Sequence, residues 1–268
     1  MIWGAVYGDV IGSYYEVHCT KDYDFPFHKE STFTDDTVMI AAVCEAVRLN
    51  HAPISPLEAR KRGKEYAAQY KRFYSLYPNA GFGQMFGEWA SSRSLFVQRS
   101  FGNGGAMRVI PIGYAYDSLE QTLLQARSSC IYTHNTREAI IGAKAVAAAV
   151  WLVRNNKSKD EIKKFIEDNF HYDLSEPINK IRESYEFDSR TRYSVPPAIA
   201  AFLQSDDYES AVRNAVSLGG DADTMACIAG GIAEAFYGEI PQHIANFCDI
   251  RIDGSIKKTI TSFINTHS

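Results

Sequence analysis

Thr34-Asp35-Asp36-Thr37-Val38-Met39-Ile40-Ala41-Ala42-Val43-Cys44-Glu45-Ala46-Val47-Arg48-Leu49 joins two adjacent carboxylates to an apolar run without strand-like alternation. From Val38 to Leu49 only Glu45 and Arg48 are charged, so the segment reads as a helix buried on almost every side. The pairing recurs near the far end. There Gly219-Gly220-Asp221-Ala222-Asp223-Thr224 leads into a helical pattern from Thr224 to Tyr237, with Gly238 where a C-cap belongs.

Helical signals fill most of the chain between. Ser55-Pro56-Leu57-Glu58 is a capping box with proline at the first helical position, opening a helix to about Phe73. Ser118 caps a helix through Ile131, and Thr136 caps the Ala- and Val-rich stretch Ala139 to Val153. Lys159 to Asn169, Pro177 to Tyr185 and Tyr208 to Leu218 read as shorter helices, and Pro196-Pro197 as the start of another. Strand-type alternation is confined to Tyr193 to Val195, and no solenoid repeat is present. The expectation is an all-α fold, one compact domain over residues 1–268, with functional residues on loops and helix N-termini. Gly142 and Gly230-Gly231 imply close helix–helix approach.

Composition narrows the function classes. A chain of 268 residues can bury one large core, and its net charge of −4 gives no footprint for stable nucleic-acid binding. No apolar run is long enough to span a bilayer, and Met1-Ile2-Trp3-Gly4 lacks a charged region before an apolar one, so neither a membrane nor secretion is expected. Cys19, Cys44, Cys130, Cys227 and Cys248 are odd in number and widely spaced, which points to reduced thiols in a cytoplasmic protein.

The chemistry resides in the acidic pairs. Carboxylates this crowded repel one another unless a cation, a proton or backbone donors compensate them. A helix N-terminus supplies such donors, so Thr34-Asp35-Asp36 alone reads as capping. Two such junctions are harder to explain that way. Brought together, Asp35, Asp36, Asp221 and Asp223 with neighbouring threonine hydroxyls form a hard-oxygen set suited to Mg²⁺ or Mn²⁺, with room for two ions. Gly219-Gly220 reads as a flexible loop aiming Asp221 and Asp223.

A second feature is Ser100-Phe101-Gly102-Asn103-Gly104-Gly105-Ala106-Met107-Arg108. Its glycines before a helix can present backbone N–H groups to a pyrophosphate, Asn103 adds an amide, and Phe101 can stack on a base. Gly4 to Gly12 carries glycines at helical spacing. Within and after it, Asp9 reads as a buried hydrogen-bonding residue and Glu16 as a surface residue or cap. His134, in Thr133-His134-Asn135, reads on its own as structural.

In order along the chain, Gly4 to Gly12, Phe33 to Thr37, Gly102 to Arg108, Thr133-His134 and Gly219 to Thr224 resemble the ADP-ribosylglycohydrolase family. The resemblance implies an all-helical fold with a binuclear Mg²⁺ or Mn²⁺ cleft, held by Thr34, Asp35, Asp36, Asp221, Asp223 and Thr224. It places Ser100, Phe101, Gly102, Asn103 and His134 along an ADP-ribose site, with Phe101 near the adenine; Gly104 and Gly105 complete that loop. Glu16 matches an acidic residue beside the metals in the branch acting on O-linked ADP-ribose. Asp36, Asp223 and Glu16 are the candidate proton acceptors or donors. The implied activity is hydrolysis at C1″ of an ADP-ribosyl adduct on a protein or other acceptor, yielding ADP-ribose. The alternatives are hydrolysis of a small ADP-ribose or nucleoside derivative, and non-catalytic ADP-ribose binding.

Overall fold

Every residue from Ala222 to Glu234 is buried, and so is every residue from Gly4 to Gly12. Helices apolar on all sides must lie inside the molecule, and these two form its centre. The computed structural model describes residues 1–267 and contains α1 (Trp3–Val17), α2 (Asp35–Leu49), α3 (Ala59–Leu76), α4 (Gln84–Ser91), α5 (Ile110–Ala115), α6 (Leu119–Cys130) and α7 (Arg137–Arg154). These are followed by α8 (Lys159–Phe170), α9 (Ile178–Ser184), α10 (Thr191–Leu203), α11 (Tyr208–Val216), α12 (Ala222–Tyr237), α13 (Gln242–Asp249) and α14 (Gly254–His267). Short 3-10 turns cover Pro56–Glu58 and Asn103–Gly105, and among the described residues β-pairing is limited to the isolated bridges Arg99–His134 and Gly102–Arg190. The fold is all-α.

α1 lies directly on α12. A Cβ added at Gly8 would sit 2.1 Å from the Ala226 carbonyl oxygen, and one at Gly12 would sit 2.3 Å from that of Ala222. At Gly4 the clash is with the Gly230 carbonyl at 2.5 Å, so the four-residue glycine spacing is the contact face itself. α11, α10 and α7 pack around α12, while α2 packs between α1 on one side and α3 and α14 on the other. Gly142 of α7 likewise leaves space for the Thr191 methyl of α10. One hydrophobic cluster runs through all these layers.

Local signals place most helix ends. Ser118 Oγ accepts from Gln121 N at 3.2 Å and Thr136 Oγ1 from Ala139 N at 3.3 Å, while Ser55 N donates to Glu58 Oε2 at 2.8 Å. Gly238 closes α12 in the left-handed region at φ 76°, its N–H donating to the Glu234 carbonyl at 2.9 Å. The prolines behave otherwise than the sequence predicts. Pro196 and Pro197 lie inside α10, and Tyr193 to Val195 is helix rather than strand. The helix starts early because Thr191 is anchored by its hydroxyl to the Gly102 carbonyl at 2.7 Å and by its N–H to Phe101 O at 2.9 Å. The Tyr193 carbonyl, deprived of an N–H by Pro197, accepts the Tyr185 hydroxyl at 3.1 Å instead. The free cysteines Cys44, Cys130, Cys227 and Cys248 are buried and Cys19 is exposed. No helix among the described residues is long and apolar enough to cross a membrane.

The glycine contact has a direct test. Gly8→Ala should cost about 3 kcal/mol or more by forcing α1 off α12, read by urea unfolding. Gly254→Ala, with open space around its Cβ position, should leave stability within about 1 kcal/mol.

Candidate active site

The packing of α1 on α12 brings Asp9 and Glu16 beside Asp221 and Asp223. Asp9 is fully buried and accepts from Thr34 N at 3.0 Å, Thr34 Oγ1 at 2.7 Å, Thr37 N at 3.1 Å and the Thr37 hydroxyl. A carboxylate from α1 thus caps α2 from outside and fixes the turn carrying Asp35 and Asp36. Thr34 also caps the helix, its Oγ1 accepting from Asp36 N at 3.3 Å. Thr224 Oγ1 donates to Asp36 Oδ2 at 3.1 Å, tying the first turn of α12 to that of α2 across 188 positions of sequence.

Asp221 precedes α12 but does not cap it with its side chain. Its Oδ2 accepts from Asn103 Nδ2 at 2.8 Å, and Asn103 also donates to Ser194 Oγ at 3.1 Å. The loop before it is packed rather than flexible. Gly219 has φ 71°, and a Cβ at Gly220 would lie 2.2 Å from the Tyr185 ring.

Carboxylate oxygens gather in two groups, Asp9–Asp36–Asp223 and Glu16–Asp221–Asp223, each within 4.8 Å mutual reach and sharing Asp223. Asp35 is in neither group but lines the same cavity. Burial, and then the charges of Asp9 and Asp35, hold Asp36 well above the usual carboxylate range. Burial, then Asp221 and Asp36, do the same to Asp223. Asp35 is pushed up to about 8 by burial and the Asp9 charge. Asp9 rises to about 6 because burial outweighs its hydrogen bonds. Glu16, although its side chain reaches solvent, is raised by desolvation from the protein around it and then by Asp221. Asp36 Oδ1 is buried with no hydrogen-bond partner among the described residues. Mutual repulsion, an orphaned buried oxygen and an all-oxygen donor set fit divalent cations of the Mg²⁺ or Mn²⁺ type.

The cavity beside these groups measures about 340 Å³. Of the residues singled out in the sequence, Glu16, Asp35, Asp36, Asp221, Asp223, Thr224, Ser100, Gly102, Asn103, Gly104 and His134 line it. Thr34 does not line it; its hydroxyl donates to Asp9 Oδ1 at 2.7 Å and lies 3.5 Å from Asp36 Oδ2. Phe101 and Gly105 do not line the cavity. Phe101 is 53% exposed, and Gly105 packs where a Cβ would meet Cys130 Sγ at 3.0 Å. Further lining comes from residues that sequence reasoning passed over: Gly81, Phe82, Gly83, Gln84 and Phe86 around the start of α4, with Gly81 beside Asp35, and Phe187. The signal was a Gly-x-Gly ahead of a short helix. Gly81 has φ 96° and nothing lies within 4 Å of a Cβ at Gly83, so this backbone is open to a ligand.

The ADP-ribosylglycohydrolase family model matches residues 1–262. The chain belongs to the ADP-ribosylglycohydrolase family. It is 28% identical to ADP-ribosylhydrolase ARH3 of Homo sapiens over 92% of this chain and 87% of that one. The ADP-ribosyl-[dinitrogen reductase] glycohydrolase of Rhodospirillum rubrum is 24% identical over 61% of this chain and 56% of its own. A solved ADP-ribosylglycohydrolase-related protein complex superposes with a TM-score of 0.70 at 21% identity, covering 100% of this chain and 96% of that one, and shares the fold.

The raised carboxylates set the sign of a pH dependence in this family member. Asp9 and Asp35 retain protons when folded at pH values where the unfolded chain, with carboxyls near about 4, has lost them. Their stabilising contribution is complete below about pH 4 and is lost as pH rises through about 6 and about 8. In EDTA, thermal unfolding should therefore move several degrees lower between about pH 5.5 and about pH 8. Mg²⁺ or Mn²⁺ should raise it more at the higher pH. Asp36→Asn should flatten both trends in calorimetry.

Proposed function

We propose that this chain is a divalent-metal-dependent hydrolase that cleaves the glycosidic bond at C1″ of an ADP-ribosyl adduct, releasing ADP-ribose from a modified protein or other acceptor. The observation that carries this reading is the pair of acidic groups sharing Asp223 on one wall of a cavity whose other walls are glycine backbone, His134 and aromatic rings.

Thr34, Asp35, Asp36, Asp221, Asp223 and Thr224 are the residues that would hold two Mg²⁺ or Mn²⁺ ions. Asp9 is committed to Thr34 and Thr37 and serves instead as the support that orients this set. Bound cations supply Lewis-acid orientation of ribose hydroxyls and a more acidic water. Ser100, Gly102, Asn103, Gly104 and His134 face the ribose and phosphates from one side. Gly81 to Gly83, just before α4 and next to Asp35, would offer further backbone N–H groups. Phe82 and Phe86, stacked at 5.1 Å, and Phe187 line the cavity and would stack on the adenine, with Phe101 on the exposed loop between the lining residues Ser100 and Gly102.

Glu16 is exposed, lines the cavity and keeps its proton more readily than an ordinary glutamate. Those properties suit it to pass a proton at the reacting bond. Water oxygen bonds to C1″ as the acceptor leaves, one water proton goes to a carboxylate, and the departing acceptor atom regains a proton. The transition state is oxocarbenium-like. The similarity of Glu16 and its neighbours to the O-linked branch favours serine-type over arginine-type adducts.

The test is release of ADP-ribose from serine- and arginine-modified peptides with Mg²⁺ or Mn²⁺ and with EDTA. The serine peptide should be the better substrate. EDTA and Asp36→Ala should each lower the rate at least about a hundredfold, and Glu16→Gln should lower the rate with cation affinity largely kept. Turnover only of small ADP-ribose derivatives would replace the acceptor, and binding without turnover would remove the enzyme.

A further inference from the structure

Arg108 is fully buried and makes no ion pair among the described residues, although carboxylates crowd the cavity it helps to line. Its guanidinium lies 4.1 Å over the Tyr70 ring, and Nη2 donates to the Ser129 carbonyl at 3.0 Å and to Thr133 Oγ1 at 2.7 Å. Thr133 Oγ1 in turn lies 2.9 Å from His134 Nδ1. A guanidinium can only donate. Thr133 therefore accepts from Arg108; its oxygen has a second lone pair, but its own buried hydroxyl hydrogen has no hydrogen-bond acceptor among the described residues other than His134 Nδ1, to which it is directed. With Nδ1 an acceptor, the imidazole proton resides on Nε2. That edge faces the glycine loop, since a Cβ added at Gly104 would lie 3.0 Å from Nε2 and one at Gly102 3.8 Å.

We infer that Arg108 is a positioning residue, acting through Thr133 to hold His134 as a neutral imidazole that presents an Nε2–H donor to the cleft. The inference rests on the ADP-ribose reading for the ligand, but the relay itself is a property of the free protein. The groups around the ring agree with it. Arg108 bears a positive charge one hydroxyl away, Arg99 pairs with His134 through the backbone bridge, and the Cys130 thiol lies beneath Gly105. No carboxylate pairs with His134 among the described residues. Burial and Arg108 together push its pKa well below the usual range. His134 then binds a ligand oxygen without exchanging a proton with it, which separates its role from that of Glu16.

Long-range ¹H–¹⁵N correlation spectra of histidine-labelled protein, with His134→Asn to identify the resonances, test the relay. Wild type should show His134 as the Nε2–H form at every point from about pH 5.5 to about pH 8.5. Thr133→Val, close in shape but without the hydroxyl, should yield mixed tautomers and weaken ADP-ribose binding about tenfold by calorimetry. Thr133→Ser should restore both. An Nδ1–H form or an ordinary histidine titration in wild type would overturn the inference, as would an unchanged tautomer in folded Thr133→Val. Failure of wild type to bind ADP-ribose while the Nε2–H form persists would count against the functional reading alone.

Discussion

The backbone-to-backbone contact of α1 with α12 is the constraint on which the site depends. Gly4, Gly8 and Gly12 remove every Cβ from one stripe of α1, so the Ala222, Ala226 and Gly230 carbonyls of α12 come within the distance a methyl group would occupy. At that spacing Asp9 and Glu16 share space with Asp221 and Asp223. Asp9 then reaches the first turn of α2 and organises it. Three helices are thereby locked in register by the small residues of α1 against α12 and by the Asp9 carboxylate of α1 on the first turn of α2.

That register concentrates like charge. Native structures rarely bury several carboxylates without partners, because desolvation and repulsion both oppose it. Here the backbone N–H groups at the starts of α2 and α12, together with three threonine hydroxyls, offset only part of the repulsion. The fold keeps the remainder as an unmet demand for positive charge. Arg108, which lines the same cavity, is a buried cation turned toward a threonine and an aromatic ring instead of a carboxylate. The two imbalances remain separate, one suited to metal and the other to an oriented donor.

Much of this was legible from residue order, because caps and apolar periodicity act locally. Ser118, Thr136 and Gly238 sit at helix ends in the structure. Pro196 and Pro197 misled because a tertiary anchor, Thr191 on the Phe101–Gly102 carbonyls, starts α10 before them. Asp9 read correctly as a buried hydrogen-bonding residue, but its partners lie 25 and 28 positions away, so its task could not be seen locally. Phe101 and Phe187 are both exposed aromatics on loops, and only the path of the chain decides which meets the cavity. Gly219-Gly220 looked flexible because glycine permits motion, whereas Tyr185 and Cys19 fill the space around it.

The span between the two acidic turns also shapes how the molecule comes into being. Thr224 and Asp36 touch across 188 positions, and Glu234 receives the Gly4 N–H across 230. Contacts of such separation close large loops and slow folding relative to local pairing. During synthesis α1 and α2 emerge with their glycine stripe and acidic turn long before α12 exists to cover them. A nascent chain thus has half of the acidic cluster and an unsealed helix face, a species suited to chaperone capture. The acidic cluster can assemble only after α12 has been made, with α13 and α14 still to follow.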